Sequence, residues 1–248
     1  MSGSLRGVVL GVEPVGPQIL ELLSRASTAT LTAELFARGL RNTFLNGVRP
    51  LNPSAARFVG EAFTLRYIPA REDLDVVEGF ANPEHPQRRA IESLSNGQVL
   101  VVDCRGQTEA GALGNMLVTR IMRRGAAAVV TDGSVRDSPL IAKMDFPVFC
   151  AGGAAPLSLT IHHAVDFQLP IGCGGVSVFP GDILVGDPEG VVAIPRLMAP
   201  LIAEGAVAEE ELEGFLLEKI EQGSPLPGTY PPDKKTLAAY KEQREQGL

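Results

Sequence analysis

Two valine-rich runs, residues 99–103 (VLVVD) and 126–132 (AAAVVTD), constrain this chain more than anything else in it. Each follows a helical stretch, QRRAIESL in one case and ALGNMLVTRIMRR in the other, and each ends in aspartate. A continuous apolar run without alternation cannot leave one face in water, so both faces must be covered. A strand that is fed by a helix returns parallel to its neighbour, which predicts an α/β layer. The carboxyl ends of such strands commonly carry the chemistry. Asn96-Gly97 and Gly125 supply the stops between helix and strand.

The flanking segments extend this pattern. After Pro17, apolar residues at helical spacing (Ile19, Leu22, Leu23, Leu31, Leu35) predict one or two helices closed by Gly39. Phe63, Leu65 and Tyr67 alternate with Thr64 and Arg66, which predicts a half-buried strand stopping before Pro69, with a turn-rich segment from Pro69 to Pro86. The second helical stretch is expected to span residues 112–124. Beyond residue 145, short apolar pieces divided by Gly and Pro predict a run of short strands. A helical pattern returns over 196–222, then a Pro-rich hinge and a last short helix. Residues 1–223 are thus expected to form one domain, with 224–248 as a hinge and helical tail.

Composition excludes several functions. A chain of 248 residues that is 45% hydrophobic can bury a core without disulfide staples. The net charge of −7, with aromatics at 5% and no Trp, argues against nucleic-acid binding, which needs a basic face and stacking platforms. Ten acids and five bases over residues 201–248 concentrate the negative charge in the tail. No apolar run approaches the ~20 residues of a membrane span, and the N-terminal MSGSLRGVVLGVEPVG meets an acid before a leader-like stretch can lengthen. Cys104, Cys150 and Cys173 form no C-x-x-C pair, so they read as core residues of a reduced, cytoplasmic protein. Only Cys104, following a strand-end aspartate, merits inspection as a thiol.

Two segments carry candidate chemistry. Gly111 and Gly114 open a helix whose first amides have no intrahelical partner, so Asn115, Met116 and Leu117 can offer N–H groups to a carboxylate or phosphate. The following strand ends in Asp132-Gly133, a turn that brings Arg136 and Asp137 back beside that helix start. A guanidinium fork and a carboxylate suited to a hard cation then lie together. Taken singly, neither segment is specific: glycine-led helices are common, and an exposed Arg-Asp pair contributes only ~0–1 kcal/mol. Asp103 and Asp132 also suit simple turns. His162 and His163, adjacent on a strand, face opposite ways and cannot share a metal; one buried histidine is the expectation.

The run GNMLVTRIMRRGAAAVVTDGSVRD resembles the RraA-like family, which includes 4-hydroxy-4-methyl-2-oxoglutarate aldolases and regulators of ribonuclease activity. The likeness extends upstream through NGVRP (46–50) and GEAFT (60–64), and downstream through FPGDILVGDPEGVVAIP (179–195). It implies a swivelling-domain-like β/β/α sandwich with surrounding helices, assembled as a homotrimer or dimer of trimers. In the aldolase branch a small 2-oxo acid chelates Mg²⁺ or Mn²⁺ at a subunit boundary. The resemblance places the metal on Asp137, the ketone and enolate oxygen on Arg136, and the carboxylate on the amides of Gly114, Asn115, Met116 and Leu117.

One departure stands out. Aldolase members usually carry an acid after Gly114, where this chain has Asn115, and an amide orients water without relaying a proton. The family also draws an acid from the neighbouring subunit's C-terminal region, for which Glu209, Glu210, Glu211 and Glu213 are candidates. The resemblance thus implies a metal-dependent aldolase or decarboxylase, with two alternatives: a non-catalytic ribonuclease regulator that binds a protein partner, and a sugar-acid dehydratase.

Overall fold

The structure, a computed structural model, describes residues 15–245. The reading of the N-terminal run as lacking a leader falls on residues 1–14, outside the described residues. Helices α1 (Pro17–Arg25) and α2 (Thr28–Ala37) lead into β1 (Arg49–Pro50) and β2 (Phe58–Pro69). Helix α3 (Pro86–Ser93) precedes β3 (Gln98–Asp103) and β4 (Gly111–Leu113). Helix α4 (Asn115–Arg123) precedes β5 (Ala128–Thr131) and β6 (Ser134–Val135), and α5 (Ser138–Ile141) precedes β7 (Val148–Cys150) and β8 (Gly152–Gly153). Strands β9 (His162–Phe167), β10 (Ile171–Cys173), β11 (Val176–Val178), β12 (Ile183–Asp187) and β13 (Gly190–Ile194) follow. Helices α6 (Ala199–Glu221), α7 (Leu226–Thr229) and α8 (Lys234–Glu245) end the described chain.

The main sheet runs β1-β7-β5-β3-β2-β12-β13, with β9 also pairing β2. Strands β7, β5, β3 and β2 are parallel, as the helix-fed valine runs require. The remaining pairings, with β1, β9, β12 and β13, are antiparallel. The two sheet edges are drawn together by one segment. Leu45 donates its N–H to Val191 at 2.9 Å, Ala193 donates to Thr43 at 2.8 Å, and the same stretch continues into β1 against β7. The mixed sheet is thereby nearly closed into a barrel-like form with helices around it.

Side-chain alternation fills both sides of this wall. Val99, Val101, Ala128, Val130, Phe149, Leu184 and Val191 pack in the interior. On the outside, Leu100, Val102 and Val129 meet Ile91 of α3 and Val118 and Ile121 of α4. Ile183, Val185, Val192 and Ile194 meet Leu23, Leu31, Leu35 and Ile202 of α1, α2 and α6. Each such side chain is stabilising by about 1.5–3 kcal/mol relative to exposure, and the sum holds the layers together. Gly186 is needed on β12, because a Cβ there would lie 2.1 Å from the Phe58 ring.

Two expectations are corrected. Ala112 and Leu113 belong to β4, not to the helix expected over 112–124, because they pair with β6 in a second sheet of order β4-β6-β8. The β2 strand continues through Pro69, which pairs His162 at its end, where the missing proline N–H is tolerated. The helical expectation after Pro17 resolves into α1 and α2, broken at Ala26 and Ser27, whose hydroxyl accepts from Thr30 N–H at 3.0 Å. The tail folds back on α6: Tyr240 and Phe215 rings lie 5.5 Å apart, and Arg244 pairs Glu211 at 3.2 Å. Among the described residues no helix is long and apolar enough to cross a membrane.

Asp187 ties the β12–β13 turn to the start of α2. Its carboxylate accepts from Thr28 N–H at 2.7 Å, Thr28 Oγ1 at 2.9 Å and Glu189 N–H at 2.9 Å, with Arg57 3.8 Å away. Replacing Asp187 with Ala strands these buried donors and is expected to cost about 3 kcal/mol in urea unfolding. A loss below about 0.5 kcal/mol, the scale of an ordinary surface change, would contradict this role.

Candidate functional site

The second sheet is where the sequence-predicted residues converge. Strands β5 and β7 each pass a short bend and continue as β6 and β8, and β3 is followed after the loop 104–110 by β4, so three parallel strands lie side by side. Arg136 N–H donates to Leu113 O at 2.8 Å, which fixes the start of the Arg136-Asp137 loop against the end of β4. A Cβ on Gly111 would lie 2.3 Å from Arg136 Cγ and 2.5 Å from its backbone nitrogen. Only glycine admits so close an approach, so Gly111 seats Arg136; it does not open the helix.

Gly114 is the N-cap of α4 and provides no side-chain cap; the first turn contains no acid. The amides of Asn115, Met116 and Leu117 therefore have no intrahelical acceptor, and they gather the positive end of the helix dipole. Asp137 faces them, accepting from Asn115 N–H at 3.3 Å. It sits in the left-handed region, φ 57° and ψ 29°, a conformation that aspartate tolerates and that recurs at functional sites. Arg136 Nε is buried without any hydrogen-bond partner. An unpaired buried guanidinium N–H is costly, and an incoming acceptor relieves that cost.

These groups line a cavity of about 340 Å³, within the small-molecule range. Sequence reasoning identified Gly114, Asn115, Met116, Leu117, Arg136 and Asp137, and the structure brings all six to this cavity. Met116 stands 82% exposed at its mouth. Reasoning missed the opposite wall, Phe80, Gln87 and Arg88 from the turn-rich segment and α3. Their only sequence signal was a basic pair at the start of a helix. A larger cavity of about 570 Å³ opens beside residues 179–182, but its Arg196 and Glu61 neutralise each other at 3.4 Å. Among the described residues it offers a ligand no such unpaired buried group.

The remaining candidates take structural places. Asp103 accepts from Arg105 N–H at 2.8 Å in a local turn, and burial raises its carboxyl. Asp132 accepts from Cys104 N–H at 2.7 Å and Gly106 N–H at 3.0 Å, tying two strand ends together. Burial pushes the Cys104 and Cys173 thiols well above the ordinary range and Cys150 to about 11, so none is a ready nucleophile. His162 is buried against Tyr67, while His163 pairs Asp75 at 2.8 Å on the other side of the strand. Glu210 accepts from Ser27 N–H at 2.6 Å and Glu211 holds Arg244, so both acids are engaged within their own chain.

Among the described residues no cluster of three or more His, Cys, Asp or Glu side chains is arranged for a metal. The donor set nonetheless fits a magnesium-type ion, which takes one or two carboxylates and completes its shell with water and substrate oxygens. Asp137, exposed at the cavity, is the carboxylate available to such an ion.

Fold and site together define an α/β protein with a cavity at the carboxyl ends of parallel strands, lined by the first turn of α4 and by Arg136 and Asp137. Residues 28–193 match the RraA-like family model, Aldolase/RraA, and the chain belongs to that family. It is 31% identical over 141 residues to the 4-hydroxy-4-methyl-2-oxoglutarate aldolase of Thermus thermophilus, covering 57% of this chain and 77% of that one. Protein DlpA of Legionella pneumophila is 27% identical over 85% of this chain, which spans only 33% of DlpA's length. Streptomyces coelicolor RraAS2, described as an unusual member of the RNase ES inhibitor RraA protein family, superposes with a TM-score of 0.72 at 32% identity. The match covers 83% of this chain and 98% of that one.

Two outcomes test this geometry. Gly111→Ala is expected to destabilise by about 1–3 kcal/mol in urea, because the added methyl must displace Arg136 backbone; a neutral result would refute the close approach. Burial, with Arg105 nearby, lowers the His162 imidazole to about 4. The unfolded chain, with an ordinary value near 6.5, takes up that proton first, so stability is full above about pH 6.5 and falls as pH drops towards 4. The loss is about 3 kcal/mol for a shift of this size. His162→Phe is expected to flatten that part of the profile.

Proposed function

We propose that this protein is a divalent-metal-dependent lyase that cleaves a small 2-oxo acid through a pyruvate-type enolate. The observation that carries the reading is the buried, unpartnered Arg136 Nε in the same cavity as the first turn of α4, whose amides lack intrahelical acceptors. The aldolase name of the Thermus relative supports the same chemistry.

In this mechanism the substrate carboxylate lies on the amides of residues 115–117, where the helix dipole favours an anion. The ketone oxygen accepts from Arg136. When the bond between C3 and C4 breaks, its electron pair moves into the enolate, and the negative charge develops on that same oxygen. A donor already in place stabilises the developing charge more than the neutral ketone, which lowers the barrier. The departing fragment leaves as a carbonyl compound, its hydroxyl proton passing to the water that Asn115 orients and on to solvent, or as carbon dioxide from a 3-carboxylate. Asp137 would hold Mg²⁺ or Mn²⁺, which when bound supplies further positive charge for the enolate. Asn115 orients water and does not itself carry the proton, so C3 is protonated from solvent.

We further propose a homotrimer or dimer of trimers. Met116, Leu140 and Leu157 are exposed apolar side chains around the Gly114 and Asp137 loops, and a neighbouring subunit would cover them.

The purified protein with Mg²⁺ is expected to release pyruvate from oxaloacetate or from hydroxylated 2-oxo diacids, and chelator to abolish that release. Arg136→Ala is expected to lower kcat by about 10²–10³, the range found for loss of one oxyanion donor, and Asp137→Ala to reduce release to the level of the chelated wild type and leave it unresponsive to added Mg²⁺. No turnover across a broad 2-oxo acid panel would refute the reading. Light scattering at the mass of a 26.2 kDa monomer would refute the assembly.

A further inference from the structure

We infer that Gln87 and Arg88, at the start of α3, form a second subsite that receives the departing half of the substrate. Gln87 Oε1 accepts from a hydroxyl, and Arg88 pairs an anionic group. This rests on the proposed lyase reading, which assigns ligands only to the α4 and Arg136 side of the cavity.

Gln87 is 2% exposed and lines the cavity. Its Nε2 donates to Tyr67 Oη at 2.7 Å and to Ala112 O at 3.0 Å. Those two acceptors set the orientation of the amide, because flipping it would push Oε1 against a carbonyl oxygen that has no proton to give. Oε1 is thereby left buried with no donor. Leaving a buried acceptor unmade is costly, and a ligand hydroxyl is the group that satisfies it. A retro-aldol substrate carries such a hydroxyl on the carbon that departs; oxaloacetate does not.

Arg88 completes the wall. It is half-buried, its guanidinium lies 4.9 Å over the Phe80 ring, and no carboxylate pairs it among the described residues. The arginines at the end of α4 behave differently: Arg120 and Arg124 both reach Glu92 of α3, at 2.7 and 3.4 Å. A ring under a guanidinium fixes its plane without neutralising it, leaving its N–H edge for a carboxylate or phosphate. The cavity thus presents guanidinium groups from two walls, Arg136 and Arg88, against one carboxylate, Asp137. That balance suits a substrate with an anionic group at each end and a hydroxyl between them.

Titration calorimetry in the presence of Mg²⁺ with pyruvate, 2-oxoglutarate and glutarate, together with the KM for pyruvate release from 4-hydroxy-2-oxoglutarate, separates the two halves. Pyruvate reports on Arg136 and α4 alone. The wild type is expected to bind 2-oxoglutarate more tightly than pyruvate, and the KM of the hydroxylated compound to be lower still. Arg88→Met is expected to lower the 2-oxoglutarate preference by about tenfold to a hundredfold, the scale of one charged hydrogen bond, with pyruvate affinity unchanged. Gln87→Met is expected to erase the gain from the hydroxyl alone; a merely structural role would weaken pyruvate equally. Equal losses for every ligand, or a wild type indifferent to the distal groups, would overturn the subsite. Glutarate binding that depends on Arg88 without any pyruvate binding would uphold the subsite and sink the enolate reading, and no binding or turnover of any of the four would overturn both.

Discussion

Burial of β3 and β5 on both faces is the constraint from which the architecture follows. Val99 and Val101 point into the interior while Leu100 and Val102 point out, and Val129 and Val130 divide in the same way. Neither face can be given to water, so one side needs helices and the other an enclosed interior. Helices α3 and α4 meet the first demand. The second is met by segment 43–50, which bonds to β13 at one end and pairs β7 at the other, drawing the sheet edges together. An edge strand left open would expose unpaired backbone groups, and near-closure removes most of that liability.

The candidate site is a consequence of what the sheet does at its carboxyl ends. Of the four parallel strands, β3, β5 and β7 are each followed by a short strand, and those three pair with one another. That second sheet is too small to bury much apolar area, yet it positions backbone with short, defined bonds such as Arg136 N–H to Leu113 O. The side chains in the cavity therefore project from rigid strand and helix ends, which suits an arrangement that must meet a developing charge without rearranging. The Tyr67, Gln87 and Ala112 contacts brace strand β4. Burial keeps the Tyr67 hydroxyl protonated, so it remains a donor.

How much could be read beforehand varied with the range of the signal. The parallel order of β3 and β5 and the separation of His162 from His163 follow from side-chain period, which is local. The placing of Arg136 and Asp137 beside Gly114 was also legible, since a strand and its preceding helix are near neighbours in any helix-fed parallel layer. The boundary at Ala112 was misread because Ala112 and Leu113 continue the helical spacing of α4, and only pairing with β6 makes them strand. Glu210 and Glu211 looked free to serve a neighbouring subunit until Ser27 and Arg244 appeared beside them, contacts that span up to 183 positions in the chain.

By itself the sequence determined the layer type, the parallel core and one side of the cavity, because hydrophobic period and glycine placement act over a few residues and need no partner. Tertiary structure alone decided that the sheet nearly closes, that α3 brings Gln87 and Arg88 to face Arg136, and that Gln87 Oε1 and Arg136 Nε are left without partners. Those outcomes depend on which distant surfaces are buried against each other, and whether a polar atom is satisfied is a property of everything packed around it.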